Sequence, residues 1–229
     1  MANATLLLIL QAHLPFVRHP EHPRFLEEDW LFEALSETYL PLLRVFDRLQ
    51  RDAIPFRMAV SISPPLASML EDPLLQARYR EHLVRLIDLA EREVERTAGD
   101  PAFGRVAQMY LDLFRQNLDD FSEKYEGNIL RGFDYFWKKG LVELMTSAAT
   151  HPFLPHYQHY PEALRAQIEI AEQFHSKTFG KSSRGFWLPE CGYYPGVEDY
   201  LKESGFDYFV AASHGVLFSQ DRPQNGVYR

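Results

Sequence analysis

A chain of 229 residues, 46% hydrophobic and 14% aromatic, can bury a core as one large domain, or as a domain with a helical insertion, which excludes a disordered chain. The formal net charge of −8 argues against a nucleic-acid partner and suits an enzyme handling a neutral substrate. One cysteine, Cys191, excludes an internal disulfide framework and fits a reducing compartment.

The apolar run 5–11, followed by Ala12-His13-Leu14-Pro15, reads as a strand covered on both faces, with His13 at its carboxyl end. It is too short to span a bilayer and has no basic leader or cleavage site, which predicts no membrane association, no export and a cytoplasmic location. The Pro-rich stretch 17–23 reads as a loop over that strand end. His19 and His22 within it admit a metal pair or two solvated histidines, and the absence of a Cys or carboxylate at ligand spacing favours the second.

Apolar residues at helical spacing predict a helix over 28–51, interrupted by Pro41. The alternating segment 56–63 is a second strand, carrying Ser61 and Ser63 to its end and stopped by Pro64-Pro65. From about 73 to 139 the pattern is helical and highly charged, too long for an ordinary crossover. Helices are predicted over 74–96 and 103–125, joined by Gly99-Asp100-Pro101 as an inserted hairpin, and over 128–139. A third strand, 141–146, leads into His151. A helix over 161–179 opens with Pro161 and is followed by Gly180. A short strand then ends at Leu188, a helix spans 196–204, and a fifth strand, 207–212, leads to His214.

Strand ends thus carry His13, His151, Glu190 and His214, and in a parallel sheet or barrel all carboxyl ends share one side. Beside Glu190 stand Trp187, Tyr193 and Tyr194. Carboxylate and imidazoles can bind sugar hydroxyls while aromatics cover the C–H face of a pyranose; the same residues also fit a surface glutamate beside core aromatics. In the first reading Glu190 is a nucleophile toward an anomeric carbon. Cys191 is a reactive thiol or a small packing neighbour, and the lack of an adjacent histidine favours packing.

Three segments, Ala12-His13-Leu14-Pro15 with its continuation to Glu21, Ala149-Thr150-His151-Pro152-Phe153-Leu154-Pro155, and Trp187-Leu188-Pro189-Glu190-Cys191-Gly192-Tyr193, closely resemble glycoside hydrolase family 57, within it the α-1,4-glucan branching-enzyme group. The resemblance implies an α/β fold, an incomplete, distorted TIM-like (β/α)7 barrel with the helical hairpin inserted. It also implies a retaining reaction with Glu190 as catalytic nucleophile, His13, His151, Trp187 and His214 binding substrate, α-glucan as partner and no cofactor or metal.

The general acid/base that the resemblance implies is an aspartate in a later segment, so these 229 residues are expected to be the amino-terminal part of a longer polypeptide. They are expected to lack the rest of the barrel and a carboxyl-terminal helical domain, and to be inactive or nearly so alone. Asp207 and Glu198 have the right chemistry, but their positions place them at the opposite sheet face and on a helix. A barrel cut short exposes an edge strand, which predicts self-association. Alternatives are an α-amylase or 4-α-glucanotransferase of the same family, a metal-dependent carbohydrate deacetylase, whose paired Asp is missing near His13, and a non-catalytic glucan-binding module.

Overall fold

The computed structural model describes residues 6–217. The chain divides into two compact units, one of residues 1–13, 57–66 and 142–229, the other of 14–56 and 67–141.

The first unit is built on a five-stranded sheet: β1 (Ile9–Ala12), β2 (Met58–Ile62), β3 (Val142–Ser147), β4 (Gly185–Trp187) and β5 (Tyr208–Val210). All neighbours are parallel and the order is β1-β2-β3-β4-β5. Sequential order without reversal is the winding of a barrel wall, whereas a doubly wound sheet reverses at a switch point. The fold is therefore the expected incomplete α/β barrel, with every strand's carboxyl end on one rim.

Part of the first strand departs from expectation. β1 begins only at Ile9, and Leu6 and Leu7 are 80% and 66% exposed. Within β1, Leu10 and Gln11 are exposed, Ile9 is half-buried and only Ala12 is buried, so the strand is not covered on both faces; among the described residues it pairs with β2 alone. Thr5 lies outside the described residues.

Against β3, helix α7 (Pro161–Phe179) buries Leu164, Ile168, Ala171, His175 and Phe179, one stripe at helical period. Pro161 supplies a preset φ at its first position, and Gly180 ends it in the left-handed conformation, φ 70°. Of the buried side chains, Leu164, Ile168 and Ala171 join Phe186, Leu188, Phe206 and Val197 and Leu201 of α8 (Val197–Glu203) in a continuous core. Each fully buried Phe or Leu contributes roughly 1.5–3 kcal/mol. A short helix, α9 (Ser213–Leu217), follows β5.

The second unit is helical. α1 (Glu28–Ala34) passes through a π-helical turn (Leu35–Tyr39) into α2 (Leu40–Arg51). Pro41 has no amide hydrogen to donate back along the helix, and the adjacent Leu40 amide reaches Leu35, five residues back. The expected interruption takes the form of this wider turn.

α4 (Pro73–Arg96) and α5 (Pro101–Asp119) form the expected hairpin. Asp72 caps the first by accepting from the Leu75 amide at 3.0 Å, and Asp100 caps the second through the Ala102 and Phe103 amides. A second π-helical turn, Asp120–Lys124, follows α5, and α6 (Leu130–Lys138) ends the unit. Its core includes Leu31, Phe32, Leu43, Phe46, Tyr79, Phe121 and Phe133.

In this unit the Arg78 guanidinium pairs with buried Glu28 and takes the carbonyls of His19 and His22, tying down the Pro-rich loop. The rings of His19 and His22 both lie against Phe25, at 3.7 and 5.2 Å between centroids.

Two α-helices were not anticipated, α9 and one that follows the second strand. Pro64-Pro65, expected only to stop the second strand, instead occupies the first turn of α3 (Pro64–Glu71), where a missing amide hydrogen costs nothing.

Candidate active site

Two imidazoles meet on the rim. Ala12 pairs with Ile62 in the parallel register, which puts His13 and Ser63 on the next rung. His13 Nδ1 lies 2.8 Å from Ser63 Oγ. His151 arrives by a turn after β3, its amide donating to the Ala148 carbonyl at 3.0 Å. Gln167 of α7 braces that turn, accepting from the Ala149 amide on its backbone oxygen and the Thr150 amide on its side chain, and donating to Thr150 Oγ1, each at 2.9 Å. The rings of His13 and His151 then stack, centroids 3.6 Å apart and planes 18° apart.

Glu190 is delivered from the adjacent strand. After β4 the chain makes a tight turn, Pro189–Cys191, closed by Cys191 and Gly192 amides donating to Leu188 and Pro189 carbonyls. The turn holds Glu190 at φ 52° and Cys191 at φ 54°, while His151 sits at φ 56°. Left-handed backbone on non-glycine residues costs on the order of 1–3 kcal/mol each, and it concentrates where functional groups must be aimed. Glu190 is 73% exposed, with Oε1 3.7 Å from Nε2 of His151, whose side chain is 3% exposed.

Burial pushes the His151 pKa down to about 4, helped by the stacked His13. Burial lowers His13 as well, partly opposed by the Glu190 carboxylate. Both rings are therefore neutral near pH 7, and the Glu190–His151 approach is a polar contact longer than a hydrogen bond, not an ion pair. Burial and the neighbouring carboxylate raise the Cys191 thiol, which keeps it protonated and consistent with a packing residue.

Trp187 is the last residue of β4, opposite Ser147 in register, and its carbonyl accepts from Ser147 Oγ at 2.8 Å. The indole Nε1 and the Tyr194 hydroxyl are buried with no hydrogen-bond partner among the described residues. Tyr193 stacks on Phe209 and donates to Glu198. Phe153 lies so close over Gly192 that a Cβ there would strike its ring.

The structure thus brings His13, His151 and Glu190 together and puts Trp187 on the adjoining strand end. His214 sits in α9, exposed, and makes no hydrogen bond with those three. Asp207 is held by Arg184 at 2.6 Å before β5 begins, and Glu198 accepts from the Gly196 amide. Among the described residues no group of three or more His, Cys, Asp or Glu is placed to hold a metal ion, and no helix is long and apolar enough to cross a membrane.

Sequence reasoning assigned no role to Gln11, Ser63 or Ser147. Gln11 Nε2 lies 3.3 Å from His151 Nε2, and Ser147 Oγ 3.0 Å from His151 Nδ1. Their position in the last rungs of parallel strands was the available signal.

The model of glycosyl hydrolase family 57 matches residues 7–229. A 1,4-alpha-glucan branching enzyme of Thermococcus kodakarensis is 33% identical over 239 residues, covering 97% of this chain and 34% of that protein. The crystal structure of the alpha-amylase AmyC from Thermotoga maritima superposes with a TM-score of 0.91 and 46% identity, over 97% of this chain and 42% of that one. That of a GH57-type branching enzyme from Pyrococcus horikoshii gives a TM-score of 0.83 and 31% identity, over 92% and 42%. The chain spans about a third to two-fifths of the length of these relatives. On the match of its residues 7–229, this chain belongs to glycosyl hydrolase family 57.

Proposed function

We propose that this chain carries the nucleophile side of a retaining α-glucan site, and that the whole protein transfers α-1,4-glucan segments to a 6-hydroxyl as a 1,4-α-glucan branching enzyme. The observation that carries this reading is an exposed carboxylate, Glu190, held in a strained turn 3.7 Å from one of two stacked, neutral imidazoles. In this reading residues 1–229 are the amino-terminal part of the catalytic domain, residues 73–139 are inserted in it, and the enzyme works in the cytoplasm without a cofactor.

The reaction is a double displacement. A Glu190 oxygen attacks the anomeric carbon as the glycosidic C–O bond breaks, and the leaving oxygen takes a proton from a second carboxyl group about 5–5.5 Å away. The acceptor's 6-hydroxyl then attacks the same carbon, gives its proton to that group and releases Glu190. Asp207 and Glu198 are engaged elsewhere, so the second group is assigned outside the described residues. His13 and His151 hydrogen-bond the reacting sugar, and Trp187 offers its ring beside it. His214 is kept as a substrate contact on resemblance alone.

A 5-fluoro glycosyl fluoride tests the first step on this chain, because fluoride departs without a general acid. Mass spectrometry should find the sugar on the peptide containing Glu190 and none in Glu190→Gln. Equal labelling of both would overturn the assignment. Hydrolysis is the second reading, favoured by the 46% identity to a protein described as an alpha-amylase. With the whole protein, new α-1,6 linkages in proton NMR support transfer, and rising reducing ends without them support hydrolysis.

A further inference from the structure

The contacts around His151 determine which of its nitrogens carries the proton. Ser147 Oγ lies 2.8 Å from the Trp187 carbonyl oxygen and 3.0 Å from His151 Nδ1. A carbonyl oxygen brings no hydrogen, so the contact with Trp187 uses the single hydroxyl proton of Ser147. Toward His151 the serine then offers only lone pairs, and Nδ1 must supply the hydrogen. A neutral imidazole has one ring proton, so Nε2 is left a bare acceptor. The Gln11 amide nitrogen, 3.3 Å from Nε2, is the matching donor. On its other side Nε2 faces Glu190 Oε1 across 3.7 Å, acceptor against acceptor, with no hydrogen between them.

We propose that Ser147 is a positioning residue that locks His151 in the Nδ1–H tautomer, so that Nε2, whose resting donor is the exposed Gln11 amide, accepts instead from a substrate hydroxyl that displaces that amide beside Glu190. The lock itself needs no substrate; the hydroxyl rests on the α-glucan reading above. Without the serine, the favoured partner for His151 becomes the Glu190 carboxylate, which draws the proton to Nε2. That tautomer would turn Nε2 from an acceptor, open to exchange between Gln11 and substrate, into a donor tied to Glu190.

Long-range proton–nitrogen NMR of the histidine rings at neutral pH reads the tautomer directly, with His151 identified by the signal lost in His151→Gln. The chain itself and Ser147→Thr should show a protonated Nδ1 and a bare Nε2. Ser147→Ala should move toward protonated Nε2, with the other histidine signals unmoved as the control for folding. A bare Nδ1 in the parent chain, or an unchanged tautomer in Ser147→Ala, would overturn the lock.

Calorimetry with maltooligosaccharides reads the second half. Affinity should fall about tenfold in Ser147→Ala, the loss of one good hydrogen bond, and stay within about twofold in Ser147→Thr. A switched tautomer with unchanged affinity would refute the substrate contact while leaving the lock standing. Neither readout depends on covalent labelling of Glu190, so the lock and the nucleophile assignment fail separately.

Discussion

Lowering the pH should weaken this fold through His151, by an amount that its environment sets. The ring is 3% exposed, and its pKa drops from an ordinary 6.5 to about 4, first by burial and then by the stacked His13. The folded form therefore binds its proton later than the unfolded chain does. Above pH 6.5 neither state is protonated and stability is full; as pH falls toward about 4 the unfolded chain takes up a proton that the fold refuses. At pH 5 this favours unfolding by about 2 kcal/mol, and below pH 4 by about 3 kcal/mol, after which the loss levels off. That is a sizeable part of a typical total of about 5–15 kcal/mol. Urea unfolding followed by tryptophan fluorescence at pH 7.5 and pH 5, on the parent chain and His151→Asn, isolates the contribution. His175, buried on α7 and also lowered to about 4, is present in both proteins and cancels. The variant should lose about 2 kcal/mol less than the parent between the two pH values. Equal losses would mean that His151 titrates normally and that the buried, neutral ring is wrong.

Three substitutions test the scaffold. An alanine Cβ at Gly132 would fall 2.7 Å from Tyr125 Cε1 and 2.9 Å from Leu43 Cδ1, both buried. Overpacking of that kind costs about 1–3 kcal/mol against about 1 kcal/mol of helix propensity gained, so Gly132→Ala should lower the urea midpoint, and a raised midpoint would contradict the packing. Gln167→Ala removes the brace on Thr150; because those bonds are solvent-accessible, stability should fall by only about 1 kcal/mol. Fluoro-sugar labelling of Glu190 should also slow, and unchanged labelling would show that the brace does not aim His151. Glu190→Gly relieves about 1–2 kcal/mol of left-handed strain and gives back about 0.4–1 kcal/mol in unfolded-chain entropy, so it should abolish labelling without destabilising the fold. A loss above about 1 kcal/mol would place Glu190 in a structural role instead.

Much of this molecule follows from local sequence. Apolar runs bounded by proline announce the strands, and Pro161 with Gly180 marks α7 to the residue, because capping and period act within a few positions of chain. Chain order alone puts His13, His151 and Glu190 just past strand ends, and parallel pairing sends those ends to one rim. Pro64-Pro65 stayed ambiguous, since the same dipeptide that ends a strand can open a helix. Only the tertiary structure decided that Leu6 and Leu7 face outward, because burial of a strand depends on which neighbour it finds. The serines at 63 and 147 are equally non-local: their meetings with His13 and His151 depend on how strands far apart in sequence are aligned and how the turn after β3 folds back. The same holds for the left-handed turns that aim His151 and Glu190, conformations that their own side chains disfavour and that the surrounding fold imposes. Residue type and spacing nominate the chemical groups; cross-strand register and imposed backbone strain decide which of them touch.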